Sequence, residues 1–145
     1  MAIFIDSSVF CAYTNSRDVH HSKAMSIMQE VVSEKYGSGI ITDYIFDETM
    51  TIALRRTNKE VAAELGKFML NSEILMAKIT PLIFQKAWEL FQKPNEFSFT
   101  DCTIIAFMEI FGIDKIATFD KEFKKQKNFM VIGSYSFLNI LNAHC

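Results

Sequence analysis

Four short apolar segments, separated by helix-like stretches, constrain the fold of this 145-residue chain more than any other feature. They cover residues 2–5, 40–41, 115–119 and 129–132. Each is apolar at consecutive positions, which is typical of a strand that is buried on both faces. Strands that alternate with helices predict a parallel sheet covered on both sides. We therefore expect an α/β fold that binds its ligand at the carboxyl ends of the strands.

The helical segments are predicted from apolar periodicity and from start and stop signals. One opens at Ser7 and Ser8, and the others cover residues 18–35, 43–56, 59–70, 81–93, 98–112 and 121–127, with a last helix from Ser134. Residues 73–79 fit either a strand or the tail of the preceding helix, and the pattern does not decide between them. No repeat or linker interrupts the series, so residues 1–145 are predicted to form one domain.

Four carboxylates lie at the ends of buried segments or within their apolar stripes. Asp6 ends the first apolar run and Asp120 ends the run 115–119, whereas Glu48 and Asp101 interrupt the apolar stripes of two predicted helices. A buried charge is costly unless it is paired, and the sequence offers no matching set of interior cations. A divalent cation held by oxygen ligands, Mg²⁺ or Mn²⁺, explains the set most economically. The four acids therefore indicate phosphate chemistry.

Each acid at a segment end also has a plainer interpretation. Asp6 and Asp120 could cap the helices that follow them, because aspartate is a preferred N-cap residue. Asp101 stands three residues after Ser98, which is the spacing of a capping box, so it is either a cap or a ligand.

The choice between two adjacent acids in the predicted helix 43–56 rests on helical spacing. Glu48 falls on the apolar face of the helix, whereas Asp47 falls on a polar face. Glu48 is therefore the predicted site residue and Asp47 a surface residue, although a glutamate can also curl outward from a partly buried face.

Charge and cysteine content narrow the class of protein. The formal charge of −2 argues against strong, sequence-independent binding to duplex nucleic acid. It leaves a nucleic acid substrate open, because metal ions would reverse the field at an acidic site. The three cysteines are far apart and form no CxxC pair, which argues against a disulfide framework or a zinc site. The chain begins without a basic leader and has no apolar run of membrane-spanning length, so we expect a cytoplasmic protein.

The four acids occur in motifs that resemble those of the PIN-domain nucleases, in particular the VapC-type toxins of prokaryotic toxin–antitoxin pairs. The matching pieces are Phe4-Ile5-Asp6-Ser7-Ser8-Val9, Ile41-Thr42-Asp43-Tyr44 through Glu48, Ser98-Phe99-Thr100-Asp101-Cys102 and Ala117-Thr118-Phe119-Asp120-Lys121-Glu122-Phe123. Each motif is short, but the order Asp, Glu, Asp, Asp and the spacings match over essentially the whole chain.

The resemblance implies a three-layer α/β/α, Rossmann-like fold with a central parallel sheet. It also implies a metal-dependent endoribonuclease that uses one or two Mg²⁺ or Mn²⁺ ions. The residues that would be catalytic and would bind the metal are Asp6, Glu48, Asp101 and Asp120. VapC-type toxins are usually homodimers that a small antitoxin silences, so the resemblance implies both partners for this chain.

Other residues receive supporting roles. Ser7, Thr118 and Glu122 are polar neighbours in the matching motifs and would support the acids, although Glu122 could simply face solvent. The basic residues closest in sequence to the candidate ligands, Arg56 and Lys121, are predicted to bind the substrate's phosphates.

Aromatic residues and histidines outside the motifs receive structural interpretations. Trp88 and the phenylalanines at helical spacing are predicted to be core residues. His20 and His21 are predicted to be surface or capping residues.

Other protein classes fit less well. A haloacid-dehalogenase phosphatase would carry a second aspartate where this chain has Ser8, and a receiver domain would pair acids near Asp6. Two alternatives remain open: an RNA-processing or decay nuclease that is not a toxin, and a catalytically inactive PIN-like module that binds RNA or a partner. The presence of all four acids argues against the inactive module.

Overall fold

The computed structural model describes residues 1–133, so the helix predicted from Ser134 lies outside the described residues. Within them, five strands form one parallel sheet: β1 (Ala2–Ile5), β2 (Ser38–Thr42), β3 (Leu75–Ala77), β4 (Lys115–Ala117) and β5 (Met130–Ile132). Their order across the sheet is β3-β2-β1-β4-β5. The α/β fold with a central parallel sheet is confirmed, and β3 decides the open choice for residues 73–79 in favour of a strand.

The register of the central strands places two chain segments side by side at the carboxyl edge. Ile5 of β1 lies opposite Ala117 of β4. Directly beyond this pair, the Asp6 backbone N–H donates to the Ala117 carbonyl over 2.9 Å. The residues that follow β1 and β4 therefore emerge together, as expected for adjacent parallel strands.

Six α-helices and one 3₁₀ helix connect the strands within residues 1–133. The α-helices are α1 (Ser7–Thr14), α2 (His21–Val32), α3 (Asp43–Arg56), α4 (Lys59–Asn71), α5 (Pro81–Phe91) and α6 (Phe99–Phe111), and the 3₁₀ helix is Lys121–Lys125. Threonine, asparagine and serine side chains cap the N-termini of α3, α4, α5 and α6. Gly112 ends α6 at a φ of 66°, a conformation that glycine adopts without strain.

Helices cover the sheet on both faces. Phe4 in β1 packs against Phe107 of α6, with ring centroids 5.7 Å apart. The next residue, Ile5, points to the other face, where α2 lies. A methyl group on Gly39 would come within 2.9 Å of the Val31 Cγ1 atom and 3.2 Å of the Ile5 Cδ1 atom. The three-layer arrangement predicted from the sequence is thus confirmed.

Several predicted helices differ from the observed ones by a few residues at their ends: α2 ends at Val32 and α5 at Phe91. Two further boundaries move for local reasons. The helix predicted from residue 18 begins at His21, because a turn occupies the preceding residues, with the His21 N–H bonded to the Asp18 carbonyl. The predicted helix 121–127 is a 3₁₀ helix that ends at Lys125. Segments this short commonly adopt the tighter 3₁₀ form.

The prediction that Trp88 is a core residue is wrong. Helix α5 buries Ile83 and Ala87, and the side chain of Trp88 on the neighbouring face is 45% exposed. Phe84 and Phe91 are exposed to a similar extent. Helical periodicity locates the apolar stripe of a helix, but it does not show how much of that stripe a neighbouring helix covers. In α5 the apolar stripe is wider than the covered surface, so its outer residues stay exposed. In residues 1–133, no helix has the length and apolar character needed to cross a membrane.

Candidate active site

Asp6 is the centre of the polar cluster at the carboxyl edge of the sheet. It follows the central strand, its side chain is only 5% exposed, and its Oδ1 atom accepts the Ser7 backbone N–H over 2.9 Å. The residue is therefore the N-cap of α1, as the plainer interpretation of the sequence suggested. This capping role occupies one carboxylate oxygen and leaves the other facing β4.

Two hydroxyl groups bind that second oxygen from different parts of the chain. Ser8 donates to the Asp6 Oδ2 atom over 2.9 Å, and Thr118, beyond β4, donates to the same atom over 2.7 Å. The Ser8 oxygen also accepts the Phe119 backbone N–H over 3.1 Å. Thr118, which the sequence predicted only to support the acids as a group, thus lies beside Asp6.

Ser8 is a site residue that the sequence analysis missed. Its hydroxyl joins the start of α1 to the segment that follows β4. The only signal was its place in the Asp6-Ser7-Ser8 run, since a serine in the first turn of a helix is common for reasons unrelated to function.

Glu48 enters the cluster from α3 through Ser7. The Ser7 hydroxyl donates to the Glu48 Oε2 atom over 2.8 Å and lies 3.5 Å from the Asp6 Oδ1 atom. The inward position predicted for Glu48 is confirmed, as is the exposed position of Asp47. Ser7 therefore connects the carboxylates of two distant segments.

Asp101 is held at the start of α6 by a reciprocal capping box. The Asp101 N–H donates to the Ser98 hydroxyl over 3.1 Å, and the Ser98 N–H donates to the Asp101 carboxylate over 3.2 Å. Burial, followed by the negative charge of Asp6, raises the pKa of Asp101 to about 7. A cap in this state can also serve as a ligand, because only one of its oxygens is occupied by the box.

Asp120 caps the 3₁₀ helix and is attached to the same network. Its Oδ1 atom accepts the Glu122 N–H over 2.9 Å, and its own N–H donates to the Thr118 hydroxyl over 3.0 Å. The Glu122 carboxylate instead binds Lys125 over 2.8 Å. Glu122 therefore supports Asp120 with its backbone, while its side chain engages a surface lysine.

The charges of the acids act on one another through Asp6. Burial raises the pKa of Asp6, three hydrogen bonds from Thr118, Ser8 and Ser7 lower it, and the charge of Asp120 raises it again. Burial also raises the pKa of Glu48, where Ser7 opposes the shift and the charge of Asp6 adds to it. The charge of Asp6 is thus coupled to each of the other three predicted acids.

The predicted phosphate-binding residues lie on the surface. Arg56 and Lys121 are both exposed. Burial raises the pKa of Cys11 in α1 to about 11, and the positive charge of Arg56 opposes part of this rise. The charge of Arg56 therefore acts on the α1 side of the cluster.

The donor chemistry of the cluster suits a hard divalent cation. All four acids offer carboxylate oxygens, the ligands that Mg²⁺ and Mn²⁺ prefer. Among residues 1–133, no three His, Cys, Asp or Glu side chains stand as a ready-made cage for a metal. Magnesium usually keeps several waters and needs only one or two carboxylates, so a loosely grouped set fits it better than a closed cage would.

The PIN-domain family model matches residues 3–128, a span that includes all four acids. The chain belongs to the PIN domain family. The match confirms the resemblance on which the sequence analysis relied.

Two relatives of this PIN domain are toxin-type nucleases by name. The chain is 27% identical over 123 residues to the 23S rRNA-specific endonuclease VapC20 of Mycobacterium tuberculosis, an alignment that covers 83% of this chain and 91% of VapC20. It is 29% identical over 127 residues to a VapC ribonuclease of Archaeoglobus fulgidus, covering 85% and 80% of the two chains.

Two solved structures of VapC and VapBC proteins have the same fold as this chain. The crystal structure of M. tuberculosis VapC20, a toxin that cleaves the sarcin–ricin loop, matches with a TM-score of 0.76 at 25% identity, over 86% of this chain and 94% of that one. VapBC2 of Rickettsia felis, bound to promoter DNA, matches with a TM-score of 0.65 at 13% identity, over 90% and 97% of the chains, which supports the fold alone.

The raised pKa of Asp101 predicts a pH-dependent stability of this PIN domain in the absence of metal. The pKa of Asp101 is higher in the folded than in the unfolded chain, so the folded state keeps this proton up to a higher pH. The stability that the proton contributes is fully present below about pH 4 and is lost as the pH rises through about 7. Asp101→Asn removes the charge and keeps an oxygen that can accept the Ser98 N–H. We expect the variant to be more stable than wild type at pH 8 by about 1–3 kcal/mol, allowing for the partial exposure of the group.

Thermal melting in EDTA at pH 8 and pH 5 measures this difference. At pH 5 the difference should be smaller than at pH 8, because folded Asp101 is still protonated at pH 5 and only part of the loss in stability has occurred. A variant that melts no higher than wild type at pH 8 would contradict the electrostatic account.

Proposed function

We propose that this PIN domain is a metal-dependent endoribonuclease that hydrolyses RNA phosphodiester bonds as the toxin of a VapBC-type pair. The observation that carries the proposal is the group of four carboxylates at one sheet edge, in which the buried Asp6 is coupled by charge to the other three acids. Such a group is unfavourable by itself and becomes favourable once a divalent cation is bound.

The proposed roles follow from the contacts. Asp6 and Asp101 would be the main ligands, and Glu48 and Asp120 would complete the shell directly or through water. One or two Mg²⁺ or Mn²⁺ ions, when bound, would activate water and neutralise the charge that develops on the phosphate.

The surrounding hydroxyls orient the ligands. Ser7 holds Glu48, while Ser8 and Thr118 hold the buried oxygen of Asp6, so that the carboxylate is fixed before substrate arrives. Donors of this kind set the orientation and basicity of a metal ligand. Arg56 and Lys121 are both exposed, and each follows one of the proposed ligands along the chain. They would bind neighbouring phosphates of the RNA.

The toxin role is supported by the relatives. M. tuberculosis VapC20 is named as a 23S rRNA-specific endonuclease, and the A. fulgidus relative as a VapC ribonuclease. By analogy the sarcin–ricin loop is the first substrate to assay, and action on cellular RNA would place the protein in the cytoplasm. A non-toxin processing nuclease and an inactive binding module are less favoured, because the relatives are nucleases and no acid is missing.

An antitoxin would be the expected partner, encoded by a short reading frame next to this one. A cavity of about 620 Å³ between α1, α2 and α4 offers a place for an apolar helix of that protein. Its lining includes Tyr13, Met25, Leu65 and Phe68, and Glu60 stands on its rim. We expect the antitoxin's helix to bring apolar residues to the floor and a basic residue to that rim.

The nuclease activity is tested by cleavage of a synthetic sarcin–ricin loop RNA and of unstructured RNA, with Mg²⁺ or Mn²⁺ and with EDTA. Glu48→Gln removes one carboxylate charge from the cluster, and Asp47→Asn makes the same change one residue away on the exposed face of α3. We expect Glu48→Gln to lower the cleavage rate at least about 100-fold, as loss of a group that stabilises transition-state charge does.

The matched variant Asp47→Asn should cleave at the wild-type rate. Equal cleavage by wild type and Glu48→Gln, or cleavage that persists in EDTA, would refute the site as assigned.

A homodimer is proposed from the exposed face of α5. Phe84, Trp88 and Phe91 are each more than 40% exposed. The ring pairs Trp88–Phe91, Phe91–Phe99 and Phe84–Phe99 join them into one apolar surface that continues onto α6. Contiguous apolar surface of this kind is unusual on a monomer and marks an interface. A second copy of the chain is the occupant that the family's usual state implies.

Sedimentation equilibrium tests the dimer. We expect wild type to dimerise and Trp88→Glu to be monomeric, because the change places a charge in the centre of an apolar interface. Leu70→Glu, which alters a similarly exposed residue on α4, is the control and should remain dimeric. A monomeric wild-type protein, or a dimeric Trp88→Glu variant, would contradict this assignment.

A further inference from the structure

His20 stacks on Phe119, which lies along the chain between Thr118 and Asp120 of the acidic cluster. The ring centroids of His20 and Phe119 are 4.4 Å apart and the ring planes differ by 8°. Phe119 lies between Thr118, which binds Asp6, and the acid Asp120. The sequence analysis expected only a surface or capping role for His20, and its side chain makes no capping hydrogen bond to α2.

The backbone of His20 is fixed at both ends. Its N–H donates to the Asp18 Oδ1 atom over 2.8 Å, and its carbonyl accepts the Ala24 N–H over 2.8 Å at the start of α2. The imidazole is therefore presented to Phe119 from a rigid turn rather than from a loose loop.

The segment that carries Phe119 also contacts Ser8 and Gly133. Its N–H is bound by the Ser8 hydroxyl over 3.1 Å. Gly133 lies next to its ring, where a methyl group would come within 3.4 Å of the Phe119 Cε1 atom and 2.8 Å of the Thr118 carbonyl oxygen. Close packing of this kind leaves a side chain few alternative positions.

From these contacts we infer that His20 is a positioning residue, whose stack on Phe119 holds the turn 118–120 so that Asp120 faces the cluster. This inference rests on the proposed nuclease function of the same site. Parallel stacking at this distance needs a flat ring and not a proton or a charge. A phenylalanine at position 20 can therefore replace histidine, whereas an alanine cannot.

The effect on catalysis follows from geometry. Within residues 1–133, two hydrogen bonds attach Asp120 to the network: its own N–H donates to the Thr118 hydroxyl, and its carboxylate accepts the Glu122 N–H. A turn that moves by about 1 Å would misplace the carboxylate and lower the rate roughly ten- to hundredfold. Substrate affinity should change less than the rate, because Arg56, one of the two predicted phosphate contacts, lies at the end of α3, and only Lys121 adjoins the turn.

Hydrogen exchange and RNA-cleavage kinetics on His20→Ala, His20→Phe and a control test the inference. We expect His20→Ala to lose amide protection in residues 118–122 and to lower kcat at least about tenfold with KM within about twofold of wild type. His20→Phe should restore both quantities. The control, Phe111→Ala, removes an exposed ring that pairs with Phe107 at the C-terminal end of α6, opposite the end that carries Asp101, and should leave both unchanged.

Three results would overturn the inference. Unchanged protection of residues 118–122 in His20→Ala would show that the stack does not hold the turn. Lost activity in His20→Phe with restored protection would assign histidine a chemical role instead. A lower melting temperature in His20→Ala with unchanged kcat would reduce the stack to general stability. If wild type cleaves no RNA, the proposed function fails, while hydrogen exchange still decides whether the stack holds the turn.

Discussion

The buried carboxylate of Asp6 is the interaction on which the rest of the site depends. A charge at this depth is tolerated only with donors around it, and the chain supplies them from α1 and from the segment after β4. The Ser8 and Thr118 hydroxyls therefore do two things at once: they satisfy Asp6 and they tie two strand ends together. Parallel pairing of β1 with β4 makes this possible, because it brings both ends to one edge.

The remaining acids are arranged around that point at a cost in stability. Glu48 and Asp101 both have raised pKa values, chiefly from burial and then from neighbouring acids. The proposed divalent cation would remove this repulsion as it binds, and this would strengthen its binding. Functional sites commonly lower the stability of the fold that carries them, here through repulsion among the acids in the metal-free state.

Much of this could be predicted from the sequence, for identifiable reasons. Asp6, Glu48, Asp101 and Asp120 were found because charges stand out against apolar segments, and the order of their motifs identified the PIN family. Ser8 and the stack of His20 on Phe119 were not found, because a hydroxyl and a ring leave no periodic signal and their partners lie about a hundred residues away along the chain. Trp88 was misplaced because periodicity does not distinguish a helix face that another helix covers from an apolar face that stays exposed.

The central claim is that the four acids form one charged unit waiting for a divalent cation, and the carboxyl carbon of Asp101 reports on it directly. We would follow its ¹³C chemical shift against pH in the metal-free protein and again with saturating Mg²⁺. The account predicts a titration midpoint near pH 7 without metal, and a midpoint at least two pH units lower with Mg²⁺, because the cation stabilises the charged form. A midpoint near pH 4 under both conditions would contradict it.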